Sequence, residues 1–188
     1  MGTQIIVKPD DTIAVEDFEI GQPDCGEVLI ETVSTLISAG TGLGTQEQTR
    51  INDFAPGYSN AGQIIAVGQD IKDYAVGDRV LSLGRHATHV TVPATVQSLA
   101  VIPNDVTFDQ GTYGVLGSVS LHGVRRAKVE LGEFVVITGM GLVGQLALQL
   151  VSQTGCEILI ALDLSDRRLE AAKDSGATHV LNPQHADV

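Results

Sequence analysis

The chain has 188 residues, 43% hydrophobic and 18% charged, with a formal net charge of −12. This is globular composition, enough for one large or two small domains, and it excludes a disordered chain. A surface this acidic carries no electrostatic footprint for nucleic acid or an anionic membrane, and no apolar run reaches the about eighteen residues of a membrane span.

Two cysteines, Cys25 and Cys156, fall in separate predicted units. That argues against a disulfide framework and leaves too few thiolates for a cysteine-based zinc site. Residues 1–10 lack the charged-then-apolar pattern of a secretory leader, so the cytoplasm is the expected compartment.

Residues 1 to about 125 read as β-rich. Residues 12–20 partly alternate, 21–26 form a turn cluster, and 27–37 make a long β-branched strand. A glycine-rich loop covers 38–44, and 46–52 has room for a helical turn or two. A second loop, 56–62, leads to a strand at 63–67. Further strands are expected within 76–83, at 89–92 and at 99–102. Many short strands with glycine turns indicate a small barrel or sandwich. Near Thr107 the pattern changes. Val115, Leu116, Val119, Leu121, Val124 and Ala127 recur at helical spacing, so one or two helices over 109–130 join the β-rich part to a nucleotide-type fold.

The stretch 133–163 carries the clearest signal. Residues 134–137 are short and β-branched, which suits a buried parallel strand. Gly139, Gly141 and Gly144 come next at G-x-G-x-x-G spacing, with Leu142 and Val143 between the last two. Leu146, Leu148, Leu150 and Val151 then read as a largely buried helix that Gly155 ends. A second apolar run, 158–162, stops at Asp163, nineteen residues after Gly144. Each glycine has a physical task. Gly139 allows the sharp turn, Gly141 lets a pyrophosphate approach the backbone, and Gly144 permits close helix–strand packing. The helix start offers free N–H groups and a favourable dipole to phosphates. A carboxylate at Asp163 accepts hydrogen bonds from both ribose hydroxyls and repels a 2′-phosphate, which points to NAD. The glycine triplet alone is weak. A strand before it, a helix after it and an acid at the second strand end make it strong.

The order continues with a helix at 166–175, with Ser165 as its N-cap and Gly176 as its stop, and a strand at 178–181. Residues 133–188 thus form one βαβαβ half of a doubly wound fold that normally has two. A lone half leaves its first strand as an apolar edge. A fragment of a longer protein, or a chain completed by a partner, explains this.

The run of motifs resembles the medium-chain dehydrogenase/reductase superfamily, the alcohol dehydrogenase-like enzymes. The resemblance rests on Pro56-Gly57, Ala61-Gly62, Val67-Gly68, the Val-Gly-Asp-Arg-Val of 76–80, and the Gly-Ser-Val-Ser-Leu-His-Gly of 117–123. The fingerprint of 139–144, the Asp-Leu-Ser-Asp-Arg-Arg-Leu of 163–169 and Gly176-Ala177 complete it. It implies an α/β chain: an N-terminal chaperonin-10-like β-barrel domain over 1–125, then the first half of an NAD-binding Rossmann domain, a doubly wound parallel sheet, over 126–188. It also implies a small-molecule substrate and a homodimer joined by a strand beyond residue 188. Many members hold a catalytic zinc, and the matching positions here are Ser38, Tyr58 and Ser118. None is a usual zinc ligand, and the four-cysteine zinc loop is absent, so the resemblance is to a zinc-independent branch with no metal.

Without zinc, another group must polarise a carbonyl or donate a proton. Tyr58 stands where the family places its cleft, and Ser38, Thr41 and Ser118 offer hydroxyls; an ordinary loop hydroxyl bonded to backbone is the plainer reading of each. His86 and His89 lie three apart, on opposite faces of a strand, and are expected at the surface or partly packed rather than on one metal. His122 is expected to pack or cap. Arg168 matches a position that contacts the adenosine ribose in family members, or is a solvated helix arginine. The leading function is hydride transfer between NAD(H) and an alcohol or carbonyl. Its rivals are an NAD(P)H-dependent enoyl or quinone reductase and a non-catalytic nucleotide-binding fragment.

Overall fold

The computed structural model describes residues 1–38 and 52–185. The expected helical turn within 46–52 falls almost wholly outside them, as does Thr41. The chain forms two compact units, Met1–Val115 and Leu116–Val188.

In the first unit the described strands all pair antiparallel. Strands β1 (Gly2–Val7) and β2 (Ile13–Phe18) form a hairpin of their own. Strands β3 (Glu27–Thr35), β4 (Asn60–Val67), β5 (Arg79–Ser82), β6 (His89–Pro93) and β7 (Leu99–Val101) form a five-stranded sheet in the order β6-β3-β4-β5-β7. Isolated bridges from Gln4 to Ala87 and from Val7 to Phe54 tie the hairpin to it. Alternation places the core. Val28 and Ile30 of β3, Ile64 of β4 and Val80 of β5 point to one side with no exposed surface, and Val90, Val92 and Leu99 join them. Each such side chain contributes about 1.5–3 kcal/mol. The backbones of β3 and β4 crowd closely at Gly62, where a Cβ would lie 2.1 Å from the Glu31 carbonyl oxygen. Only glycine fits there.

The expected linking helices are two. Helix α1 (Phe108–Gly111) starts with a capping box: Gln110 N–H donates to Thr107 Oγ1, and Thr107 N–H donates to Gln110 Oε1. Helix α2 (Gly114–Ala127) comes after it.

The second unit is strand, helix, strand, helix, strand, as expected. Strands β8 (Phe134–Thr138), β9 (Ile158–Leu162) and β10 (His179–Leu181) are parallel, in the order β10-β9-β8. Helices α3 (Leu142–Ser152) and α4 (Asp166–Asp174) connect them. Because the strand order runs steadily one way, right-handed crossovers put both helices on one face. Their Leu148, Val151, Leu169 and Ala172 pack there with Leu159 and Ala161 of β9. This corrects one expectation. β8 is not buried on both faces: Phe134 is 66% exposed and Val136 55%. Val135 and Ile137 pack toward the helices, while the alternate residues turn to the other face of a strand that, among the described residues, pairs only with β9. Among the described residues, no helix is long and apolar enough to cross a membrane.

Candidate functional site

The fingerprint sits where β8 hands over to α3. Gly139 takes φ +85°, the left-handed conformation that a β-carbon disfavours, and its N–H donates to Leu162 O at 2.7 Å. The chain therefore turns while staying tied to the end of β9. Gly141 is the N-cap of α3 and supplies no side-chain cap bond. The first N–H groups of α3 accordingly have no partner within the helix. A Cβ on Gly141 would meet nothing within 4 Å, so the space over the loop is open to a ligand. At Gly144 a Cβ would lie 1.9 Å from the Gly139 carbonyl oxygen, so the helix can approach the turn only with glycine there. Leu142 and Val143 open α3, and the Val143 carbonyl accepts a bond from the buried Ser120 hydroxyl of α2 at 3.1 Å.

Asp163 comes directly after β9, and its side chain is 7% exposed. Its Oδ1 accepts the Ser165 N–H at 2.8 Å and its Oδ2 accepts the Met140 N–H at 2.6 Å. The Ser165 N–H, then the Met140 N–H and the Arg168 guanidinium, hold the carboxyl below the usual carboxylate range, against the opposing effect of burial. Arg168 Nη1 lies 3.6 Å from Asp163 Oδ2, with the arginine side chain 59% exposed. Arg168 is thus both partly solvated and turned toward the acid. A cleft of about 430 Å³ opens beside these groups, lined by Met140, Gly141, Leu142, Gln145, Ser165 and Arg168 among others. Ser165 is the N-cap of α4 as expected, without a side-chain cap bond. The parts played by Met140 and Gln145 had no sequence signal. Met140 acts through its amide, and Gln145 Nε2 reaches across to the Arg168 carbonyl at 2.8 Å.

The hydroxyl candidates are distributed over both units. Ser38 and Tyr58 belong to the first unit, both half-buried, and Ser118 is an exposed residue of α2 in the second. Ser38 and Tyr58 come from neighbouring strand ends, because Thr35 of β3 pairs with Asn60 of β4. The loop that carries Tyr58 is pinned on several sides. Pro56 O accepts the His86 N–H at 2.8 Å, and Ser59 O accepts the Leu36 N–H at 3.0 Å and the Thr35 hydroxyl at 2.9 Å. The Ser59 hydroxyl donates to Thr112 O. Asn60, fully buried, donates to Thr32 Oγ1 at 2.8 Å.

His86 is more deeply placed than expected. It is 8% exposed, its Nδ1 lies 2.6 Å from Thr35 Oγ1, and burial lowers its pKa. The strand begins only at His89, so His86 lies in the irregular stretch before it, where β1 covers it: Ile5 N–H donates to His86 O at 3.0 Å. His89 is half-buried on β6, bonded through Nδ1 to Thr88 Oγ1 at 3.1 Å. His122 neither packs nor caps but is exposed on α2. Among the described residues, no three histidine, cysteine or acidic side chains are grouped to hold a metal ion.

No family model matches the chain. Individual proteins do. The chain is 35% identical to the D-guloside 3-dehydrogenase of Escherichia coli (strain K12) over 72% of this chain and 39% of that protein. It is 30% identical to the sorbitol dehydrogenase of Bacillus subtilis (strain 168) over 93% of this chain and 59% of that protein. Among solved structures, galactitol-1-phosphate dehydrogenase from Escherichia coli superimposes with a TM-score of 0.87 at 20% identity, over 98% of this chain and 62% of that one. The chain spans less than two thirds of each of these proteins. The structural likeness bears out the chaperonin-10-like β fold followed by part of a Rossmann sheet.

Proposed function

The chain belongs to the medium-chain dehydrogenase/reductase superfamily, and on that basis we propose that it is the substrate-side β domain and first nucleotide-binding half of an NAD(H)-dependent oxidoreductase. One observation carries the reading above all. The glycine turn and an uncapped helix start border one open cleft, and the carboxylate at the next strand end is bonded to the same turn. The α3 N–H groups would hold the pyrophosphate. Asp163 would accept the adenosine ribose hydroxyls and disfavour a 2′-phosphate, with Arg168 beside the same ribose. Nicotinamide supplies the hydride chemistry.

The reaction is hydride transfer with an alcohol or carbonyl of a small polyol-like substrate, the class named by the dehydrogenases this chain resembles. No catalytic zinc takes part, since Ser38, Tyr58 and Ser118 offer hydroxyls where thiolate, imidazole or carboxylate would be needed. Tyr58 donates a proton to the developing alkoxide, and Ser38, Thr41 and Ser118 orient the substrate. The rigid seating of the Tyr58 loop supports that assignment, because a proton donor must be held in place.

The test is a titration with NADH and separately with NADPH, monitored by cofactor fluorescence. The chain has no tryptophan, so protein background is low. NADH is expected to bind about tenfold or more tightly than NADPH, one repelled phosphate being worth at least one such step. Polyols and their ketones are then screened with NAD(H), and Tyr58→Phe is expected to lower kcat about a hundredfold with little change in KM. A folded sample that binds neither cofactor would sink the reading.

A further inference from the structure

Asp163 is tied more tightly than ribose recognition alone requires. Its side chain is 7% exposed, and each of its two oxygens accepts a backbone N–H, from Met140 at 2.6 Å and from Ser165 at 2.8 Å. Met140 is the residue between the first two glycines of the fingerprint. Its side chain is 1% exposed in the core of the α/β unit, so the residue is anchored on that side as well. The residue before it, Gly139, donates its own N–H to Leu162 O at 2.7 Å. Two successive amides of the turn thus reach the end of β9, one through backbone and one through the Asp163 carboxylate. A carboxylate offers about four acceptor positions; the two amides engage two of them, and Arg168 Nη1 stands 3.6 Å from Oδ2. Acceptor capacity thus remains for a ribose diol.

We propose that Asp163 is a positioning residue for the phosphate-binding turn as well as a ribose acceptor: its carboxylate holds the Met140 amide and thereby sets how Gly141 and the first turn of α3 face the pyrophosphate. The proposal rests on the nucleotide reading above. It separates two roles that a simple Asp163 substitution merges. If the carboxylate only met the diol, its loss would not matter to a ligand without a diol. If it also shapes the turn, its loss weakens phosphate binding whatever the sugar carries.

The experiment uses the full chain as wild type, Asp163→Ala and Asp163→Asn, with adenosine 5′-diphosphate and 2′,3′-dideoxyadenosine 5′-diphosphate as probes, read by calorimetry. Wild type is expected to bind both, the diol-bearing ligand more tightly. Asp163→Ala is expected to lose about tenfold or more in affinity for the dideoxy ligand too, the scale of a lost charge-assisted hydrogen bond. Asp163→Asn, which keeps one acceptor oxygen, recovers part of that loss. Equal binding of the dideoxy ligand by wild type and Asp163→Ala would overturn the positioning role and leave a diol acceptor alone. Wild type binding neither ligand would remove the nucleotide reading itself, and the proposal with it. Amide hydrogen exchange gives a second readout. The Met140 amide is expected to exchange faster in Asp163→Ala, while the Leu159 amide, held by Thr178 Oγ1 at 2.8 Å, is unchanged. Equal acceleration at both sites would mark general loosening and overturn the proposal.

Discussion

In the α/β unit the candidate site is built from backbone; in the β unit it is built from side chains. The fingerprint turn offers amides, freed by glycine geometry and an uncapped helix, and one buried carboxylate holds them. The Tyr58 loop is fastened instead through Ser59 and Asn60 to the hydroxyls of Thr35 and Thr32 and to the Thr112 carbonyl, with backbone bonds to Leu36 and His86, so that its partners come from three separate segments. The difference reflects the ligand each would bind. A pyrophosphate is the same in every dinucleotide cofactor, so a short local motif suffices. A substrate needs groups at particular positions, and a β fold brings these together only by long-range pairing.

Four substitutions test that contrast. The largest effect on stability is expected from Leu148→Ala, which empties a fully buried position between α3 and β9. It should cost about 2–5 kcal/mol, measured by urea denaturation. If the units are separate cooperative bodies, the β unit's transition stays where it was; a single shifted transition would refute the division.

Gly144→Ala comes next. Its Cβ would overlap the Gly139 carbonyl oxygen, so α3 must move from the turn at about 1–3 kcal/mol. NADH affinity should fall at least tenfold, read by cofactor fluorescence. Unaltered affinity would show that the turn is not the phosphate site.

His86→Gln addresses the β unit. Burial lowers the folded-state pKa of His86, so the neutral ring is the one that fits. Below its ordinary value near 6.5 the unfolded chain takes up a proton that the folded chain refuses. The contribution is therefore fully present above that pH and is lost as pH falls through the window below it. Denaturation across pH 5 to 7 should show stability rising with pH by less than one proton's slope, and the variant should lose that slope. An unchanged slope would place the titration elsewhere.

The smallest effect is expected from Arg168→Ala. Its contact with Asp163 is solvent-facing on the arginine side, and such pairs contribute about 0–1 kcal/mol. A drop of at most a few-fold in NADH affinity, measured as above, is expected. A larger loss would make Arg168 a principal ribose contact.

The local elements of the α/β unit were legible because their signals are contiguous: β-branched runs, glycines at fixed spacing, and an acid at a strand end. By the same signals β8 reads both as a run suited to burial and as the apolar edge of a lone half, and the structure agrees with the second. A run of apolar residues looks alike in a strand covered on both faces and in one covered on a single face, and only the packing of the helices distinguishes Phe134 from Val135. His86 was expected at the surface or partly packed, on a strand face opposite His89. Its burial comes from β1 and from Thr35, far away in sequence.

Amino-acid order suffices for the α/β periodicity, the nucleotide-type turn and the absence of thiolate or imidazole at the three positions the family resemblance matches to its zinc. These depend on residue type and short spacing. Which groups meet is a matter of tertiary structure. It put the Asp163 carboxylate on the Met140 amide, seated His86 against Thr35, and fixed the Tyr58 loop to three separate segments. Hydrogen bonds between residues 23 to 53 positions apart leave no periodic trace in a sequence, because nothing in local geometry requires them.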